Sequence, residues 1–444
     1  MKTNFRIDHE LLAIEAENSV SGMLELIAPE ATTTRLPLHI ALVIDKSGSM
    51  RGGKLEAAKE AANYLVQRLT GEDRLAIIAF DDEVELILPL DTISPDKARR
   101  AIAEIHSGGS TNLSGGWLKG LEELGRGAGI DATRRVLLLT DGQANVGIKD
   151  DDGLVRLADG SKAQTATTTF GFGDGFNEDL LKQIAETSGG STYFIETPED
   201  APGAFDHEFE GLATIVAQNL SVEIVMLDDA KFMGVLNNYK MASVPNGIQT
   251  QVGDIYGGER RQILFKFFVP EVAQLGVKRV ADITIRYTSV GSEIAQHQIS
   301  VPVTVNLVSA DEAAAAEVDH EVVELVTILE ASQARIAARD LADRGDFGAA
   351  WAMLNVNISE LRSRGTEAAT FEADLLAEHL LNFERGTYDS GTRKRMSNES
   401  NERGQSSSRR EAMRHREHRR RLDLRNLAEQ AQEKDDENGS AEES

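Results

Sequence analysis

The chain has 444 residues, too many for one ordinary core, so two or three domains are expected. A composition that is 41% hydrophobic and 27% charged is that of a globular protein, and a formal charge of −26 argues against general binding to nucleic acid or anionic lipid. The absence of cysteine excludes disulfides, thiolate chemistry and cysteine zinc sites.

The opening residues, MKTNFRIDHELLAIEAENSV, are interrupted by acids and do not read as a signal peptide. No apolar run approaches the roughly 18 residues of a membrane-spanning helix, so a cytoplasmic protein is the simplest expectation. Phe5 to Pro29 reads as extended chain without a partner of its own. Residues 1–37 are therefore expected to supply strands to a later β-domain.

From Leu38 to about Thr197, apolar strands alternate with amphipathic segments. This is the pattern of an α/β domain, doubly wound and Rossmann-like around a mainly parallel sheet, expected over residues 38–210. The buried-strand candidates are His39 to Asp45, Leu75 to Phe80, Val136 to Asp141, Thr167 to Phe172 and Thr192 to Ile195. Leu55, Ala58, Ala62, Leu65, Val66 and Leu69 recur at helical spacing. Asn177 is a suitable cap for a helix through Leu180, Leu181 and Ile184.

Residues 219–308 change texture to "LSVEIVML", "QILFKFFVP", "DITIRYTSV" and "QISVPVTVNL", β-branched and aromatic runs with turn-like punctuation that suggest a β-sandwich. With the amino-terminal strands joining it, the α/β domain becomes an insertion. Residues 311–385 carry two amphipathic patterns broken near Gly345, an α-helical hairpin. Over residues 386–444 apolar residues thin out, and a charged, largely disordered tail is expected. Asn398 to Ser444 should then be dispensable to the folded domains. Within the tail, Ser408 to Asn426 is arginine-rich and could bind nucleic acid, although it lacks aromatics for base stacking and is followed by "EKDDEN".

The chemistry concentrates in "IALVIDKSGSMRGGKL", Ile40 to Leu55. Read from Gly48 to Lys54 it is G-x-x-x-x-G-K, nearly a phosphate-binding P-loop, with "RVLLLTD" available as a Walker B. The Ser or Thr that should follow the lysine to hold Mg²⁺ is, however, Leu55. Read from Asp45 it is D-x-S-x-S, a run of oxygen ligands closing an apolar strand. A hard ion such as Mg²⁺ takes about six oxygens and seldom finds them in one loop. Thr111 in "HSGGSTNLSGG" and Asp141 in "LLLTDGQ" supply further oxygens, and Asp45 and Asp141 would flank one crevice if their strands are neighbours. Aspartate, serine and glycine after a strand more often make only a turn and a helix cap; Thr111 and Asp141 tip the balance toward a metal site.

These residues resemble a von Willebrand factor type A domain of bacterial type with a complete metal-ion-dependent adhesion site. The resemblance runs from about Leu38 to Phe205 and rests on "DKSGSM", "GGSTNL" and "LLLTDGQANVG", with "TTFGFGDGFNEDLLKQIAETSGGSTYFI" resembling the closing elements. It implies that Ser47, Ser49 and Thr111 bind Mg²⁺, with Mn²⁺ or Ca²⁺ able to stand in, and that Asp45 and Asp141 lie close by. It further implies a protein partner that offers an Asp or Glu to the metal, hence a scaffold or assembly role. No enzyme is expected: "HEFEG" at His207 and "HEVVE" at His320 lack a second zinc-binding histidine, and no G-x-S-x-G is present. The acidic runs Asp81 to Glu83 and Asp150 to Asp152 read as solvated loops.

Overall fold

A computed structural model describes residues 1–31, 36–126, 132–161, 165–173, 176–195, 200–290 and 295–404. The chain begins with three strands, β1 (Lys2–Ile7), β2 (Leu11–Ala13) and β3 (Asn18–Ile27). The α/β segment follows: β4 (Leu38–Asp45), α1 (Gly53–Arg68), β5 (Arg74–Phe80), β6 (Val84–Thr92), α2 (Pro95–Ala103), α3 (Leu113–Arg126), β7 (Thr133–Thr140), α4 (Asp151–Ser161), β8 (Ala166–Phe172), α5 (Glu178–Ser188), β9 (Thr192–Ile195) and α6 (Ala201–Ala213). Seven strands come next, β10 (Ile215–Met226), β11 (Lys231–Val235), β12 (Met241–Val244), β13 (Gly247–Tyr256), β14 (Arg260–Val269), β15 (Gly276–Ser289) and β16 (Ala295–Val308). The described chain ends in α7 (Ala310–Ala314), α8 (His320–Asp343), α9 (Phe347–Arg364), α10 (Glu367–Arg385) and α11 (Ser390–Gly404).

The α/β sheet has the order β6-β5-β4-β7-β8-β9, parallel except for β6. Its central strand is buried on both faces. Ile40, Leu42 and Ile44 belong to the core on the side of α1, α2 and α6, while Ala41 and Val43 belong to the core on the side of α3, α4 and α5. That alternation is why an uninterrupted apolar run works here. The chain leaves β4 toward β5 and returns on the other side as β7, so strand order reverses between β4 and β7 and opens a crevice at their carboxyl ends.

Two layers form the β-sandwich, an antiparallel one of order β1-β3-β14-β11 and one of order β12-β13-β10-β15-β16-β2 that is antiparallel except where β2 pairs with β16. β3 pairs with β14 along its whole length, from Asn18↔Val269 to Ile27↔Arg260. The α/β segment thus emerges from the sandwich after β3 and re-enters it at β10. Leu24, Leu26, Phe265, Phe267, Ile283 and Val303 pack between the layers. Among the described residues no helix is long and apolar enough to cross a membrane.

Sequence and structure part in several places. β6 is an edge strand whose residues are mostly half-exposed, so it lacks the apolar run that marks its neighbours. Asp151 and Asp152 open α4, with Asp150 accepting from Gly153 N at 2.7 Å, so this acidic run is a helix start and not a loop. The helical region is larger than a hairpin. α11 lies inside the stretch read as tail, and Met396, Glu399, Ser400 and Arg403 on it are buried. It was missed because its burial is mostly ionic: Glu399 pairs with His379 and Arg335, and Arg403 with Glu372. Ser408 to Asn426 lies outside the described residues.

Candidate metal centre

Three loops meet above the β4/β7 crevice. The first follows β4, where a 3-10 turn over Gly48–Met50 carries the chain into α1. The second precedes α3 and contains Thr111. The third follows β7 and contains Asp141. Backbone hydrogen bonds join them: Gly48 N donates to Gly109 O at 2.9 Å, Gly108 N to Lys46 O at 2.7 Å, and Asn145 N and Val146 N to Thr111 O at 3.0 Å. The five oxygen-bearing residues picked from the motifs therefore stand on loops fixed to one another.

Asp45 is fully buried. Its Oδ1 accepts from Ser47 N at 2.9 Å, and its Oδ2 accepts from the Thr140 hydroxyl at 2.6 Å. Burial lifts its carboxyl to about 6, against the hydrogen bonds from Ser47 and Thr140, with the charge of Asp141 adding to the rise. The Ser47 and Ser49 hydroxyls lie 3.1 Å apart, Ser47 buried and Ser49 exposed, which gives the pair a solvent-facing side. Thr111 is 2% exposed, with its amide on Asn145 Oδ1 at 2.7 Å.

Asp141 is the informative residue. It too is fully buried, Oδ2 takes the Lys54 ammonium at 3.2 Å, and Oδ1 has no hydrogen-bond partner. A buried carboxylate oxygen without a donor is costly, and here it stands on the third of the loops that meet at the crevice. Hydroxyl and carboxylate oxygens are the donors that a hard divalent ion prefers, so the residues fit such an ion. Among the described residues no group of three or more His, Cys, Asp and Glu side chains is placed to hold one, so a centre here depends on its hydroxyls.

Sequence reasoning missed the residues that set this geometry. Asp81, expected in a solvated loop, is buried and accepts from Gly109 N at 3.2 Å and Glu83 N at 3.0 Å, with Lys46 beside it at 3.2 Å. A Cβ on Gly108 would fall 2.1 Å from Oδ2 of the anchored Asp81, which favours glycine there, and one on Gly109 would fall 1.6 Å from Asp82 Oδ1. The glycine pair facing "DDE" was the available signal. The P-loop reading fares poorly, because Gly48 N, Met50 N and Arg51 N are spent on Gly109 O, Ser47 O and Gly48 O and do not cradle an anion. His207 on α6 and His320 at the start of α8 belong to different domains.

Residues 39–207 match the family model of the von Willebrand factor type A domain. An uncharacterised protein of Synechocystis is 30% identical over 264 residues, 57% of this chain and 62% of that one. Inter-alpha-trypsin inhibitor heavy chain H3 of Homo sapiens is 31% identical over 203 residues, 43% of this chain and 22% of that one. The chain thus spans less than two thirds of these relatives. Among solved structures, a von Willebrand factor type A protein of Catenulispora acidiphila superposes with TM-score 0.67 at 17% identity, covering 88% of this chain and 94% of that one. The ArnB paralog VWA2 of Sulfolobus acidocaldarius does so with TM-score 0.58 at 16% identity, covering 91% and 97%. The shared fold therefore extends through most of the chain, beyond the α/β segment.

Proposed function

We propose that this chain, whose residues 39–207 form a von Willebrand factor type A domain, is a scaffold that captures a protein partner through a divalent ion, most simply Mg²⁺, at the β4/β7 crevice. Ser47, Ser49 and Thr111 would hold the ion, with Asp45 and Asp141 beside it. The bound ion would supply an electrophilic site for an Asp or Glu carboxylate of the partner. Neutral hydroxyls in the ligand set leave much of its charge unspent. Asp45, tied down by Ser47 N and Thr140, orients the first loop, and Asn145 fixes Thr111 to the third.

The observation that carries this reading is the unpartnered, buried Asp141 Oδ1 on a loop tied by backbone hydrogen bonds to the one bearing Thr111. Calorimetry with Mn²⁺ and Mg²⁺ on the full chain should show one site, lost in Thr111→Ala, and capture of partners should be abolished by EDTA. Capture that survives both EDTA and Thr111→Ala would overturn it. Titration with ATP and Mg²⁺ should show no binding; ATP binding that needs Lys54 but not Thr111 would instead support a nucleotide site.

A further inference from the structure

Lys54 is a cation inside the candidate centre that the proposed ligand set does not use. It stands in the first turn of α1, yet its side chain runs along the loop after β8 and sets its ammonium on Asp141. Gly173 makes this route open: a Cβ there would fall 2.5 Å from Lys54 Cε, and its φ of +74° is itself suited to glycine. The Gly173 carbonyl accepts from Lys394 Nζ of α11 at 3.4 Å, and that ammonium lies 4.1 Å from the centre of the Phe176 ring. The wall that guides Lys54 is thus held by the helical region.

We propose that Lys54 sets the affinity of the metal centre as a tethered cation, compensating Asp141 when no ion is bound and competing with the ion for that carboxylate. The inference rests on the metal-dependent reading above. Two carboxylates, Asp45 and Asp141, are fully buried within one crevice, and without a positive charge the loops would carry a large penalty for keeping both ionised. Lys54 supplies one such charge to one oxygen. The other oxygen of Asp141 stays open, and the ammonium remains close enough to repel an arriving divalent ion. The result is a centre that keeps its shape when empty and binds its ion less tightly than its oxygens alone would allow.

The test uses the full chain and Mn²⁺, followed by paramagnetic resonance of the free ion and by thermal melting with and without Mn²⁺. Lys54→Met keeps the apolar stem and drops the charge, and should tighten Mn²⁺ binding by about tenfold. Its melting point should fall in EDTA, where Asp141 loses its partner, and recover in Mn²⁺. Lys54→Gln should behave likewise, whereas Lys54→Arg, which keeps the charge, should bind as the wild type. Weaker or unchanged Mn²⁺ affinity in both neutral variants, with wild-type binding intact and lost in Thr111→Ala, overturns the competition and leaves the centre standing. Absence of Mn²⁺ binding in wild type and all variants removes the centre itself, and this inference with it.

Discussion

Two clusters of buried charge lie in this molecule, and they are balanced differently. In the helical region Arg335 and Arg403 face Glu372 and Glu399, with His379 Nε2 on Glu399 at 2.7 Å. Burial alone would lift the Glu399 carboxyl, but His379, Arg335 and Arg403 outweigh it and hold it at about 2. At the β4/β7 crevice two buried carboxylates stand together, of which Asp141 pairs with the Lys54 ammonium and Asp45 has no cation on it among the described residues and is pushed up by burial. The first cluster matches its charges and works as a tie between α8, α10 and α11. The second is short of positive charge, a deficit that the proposed divalent ion would offset.

Breaking the matched cluster should have the largest effect. Arg335→Met leaves Glu372 and Glu399 facing one arginine in place of two, and should destabilise the helical region by about 3–5 kcal/mol. Hydrogen exchange should locate the loss in α8, α10 and α11 and leave β4 and β7 protected. Equal loss in both regions would mean that the two clusters are not energetically separate.

The deficient cluster should respond in the opposite sense. Asp45 carries a carboxyl raised above its unfolded value, so the folded, metal-free protein holds a proton that the unfolded chain releases. Its stability should therefore fall as pH rises from about 4 to about 6, by on the order of 2 kcal/mol. Asp45→Asn removes one of two like charges and should flatten that slope, leaving the EDTA melting point above pH 6 unchanged or higher. The same variant should lose the melting-point gain from Mg²⁺, a gain that in wild type grows as pH rises through 6. A steep fall in EDTA stability for Asp45→Asn would show that the carboxylate is there to hold the fold.

The doubly wound α/β fold was legible because its strands are buried on both faces and read as unbroken apolar runs. The site motifs were legible because hydroxyls and carboxylates fall at strand ends in fixed spacing. What escaped has a common physical cause, stabilisation without an apolar signature. β6 is an edge strand with little burial, α11 is buried by arginine and glutamate, and Asp81 works through backbone amides brought to it by other loops. Lys54 was visible as part of a motif, but its partner is 87 positions away and only the packing of Gly173 reveals the route.

The smallest effect sharpens the comparison at Asp81, a buried carboxylate near the deficient cluster that is satisfied as the helical ones are. Burial is the strongest single influence on it and pushes its carboxyl up, but Glu83 N, Lys46 and Gly109 N together outweigh that and hold it below the usual range. It therefore contributes stability that is present above the ordinary aspartate range and is lost as pH falls through its depressed value, the reverse of Asp45. Asp81→Asn would present an amide to donors that need an acceptor, and should cost about 1 kcal/mol of stability. Because Asp81 anchors Gly109, and the Gly109 carbonyl in turn holds Gly48, the loops bearing Thr111, Ser47 and Ser49 should loosen together. Mn²⁺ binding should weaken by a few-fold without being lost, in contrast to Thr111→Ala. Unchanged Mn²⁺ affinity in a variant that has lost the expected stability would separate the loop anchor from the centre and assign Asp81 to folding alone.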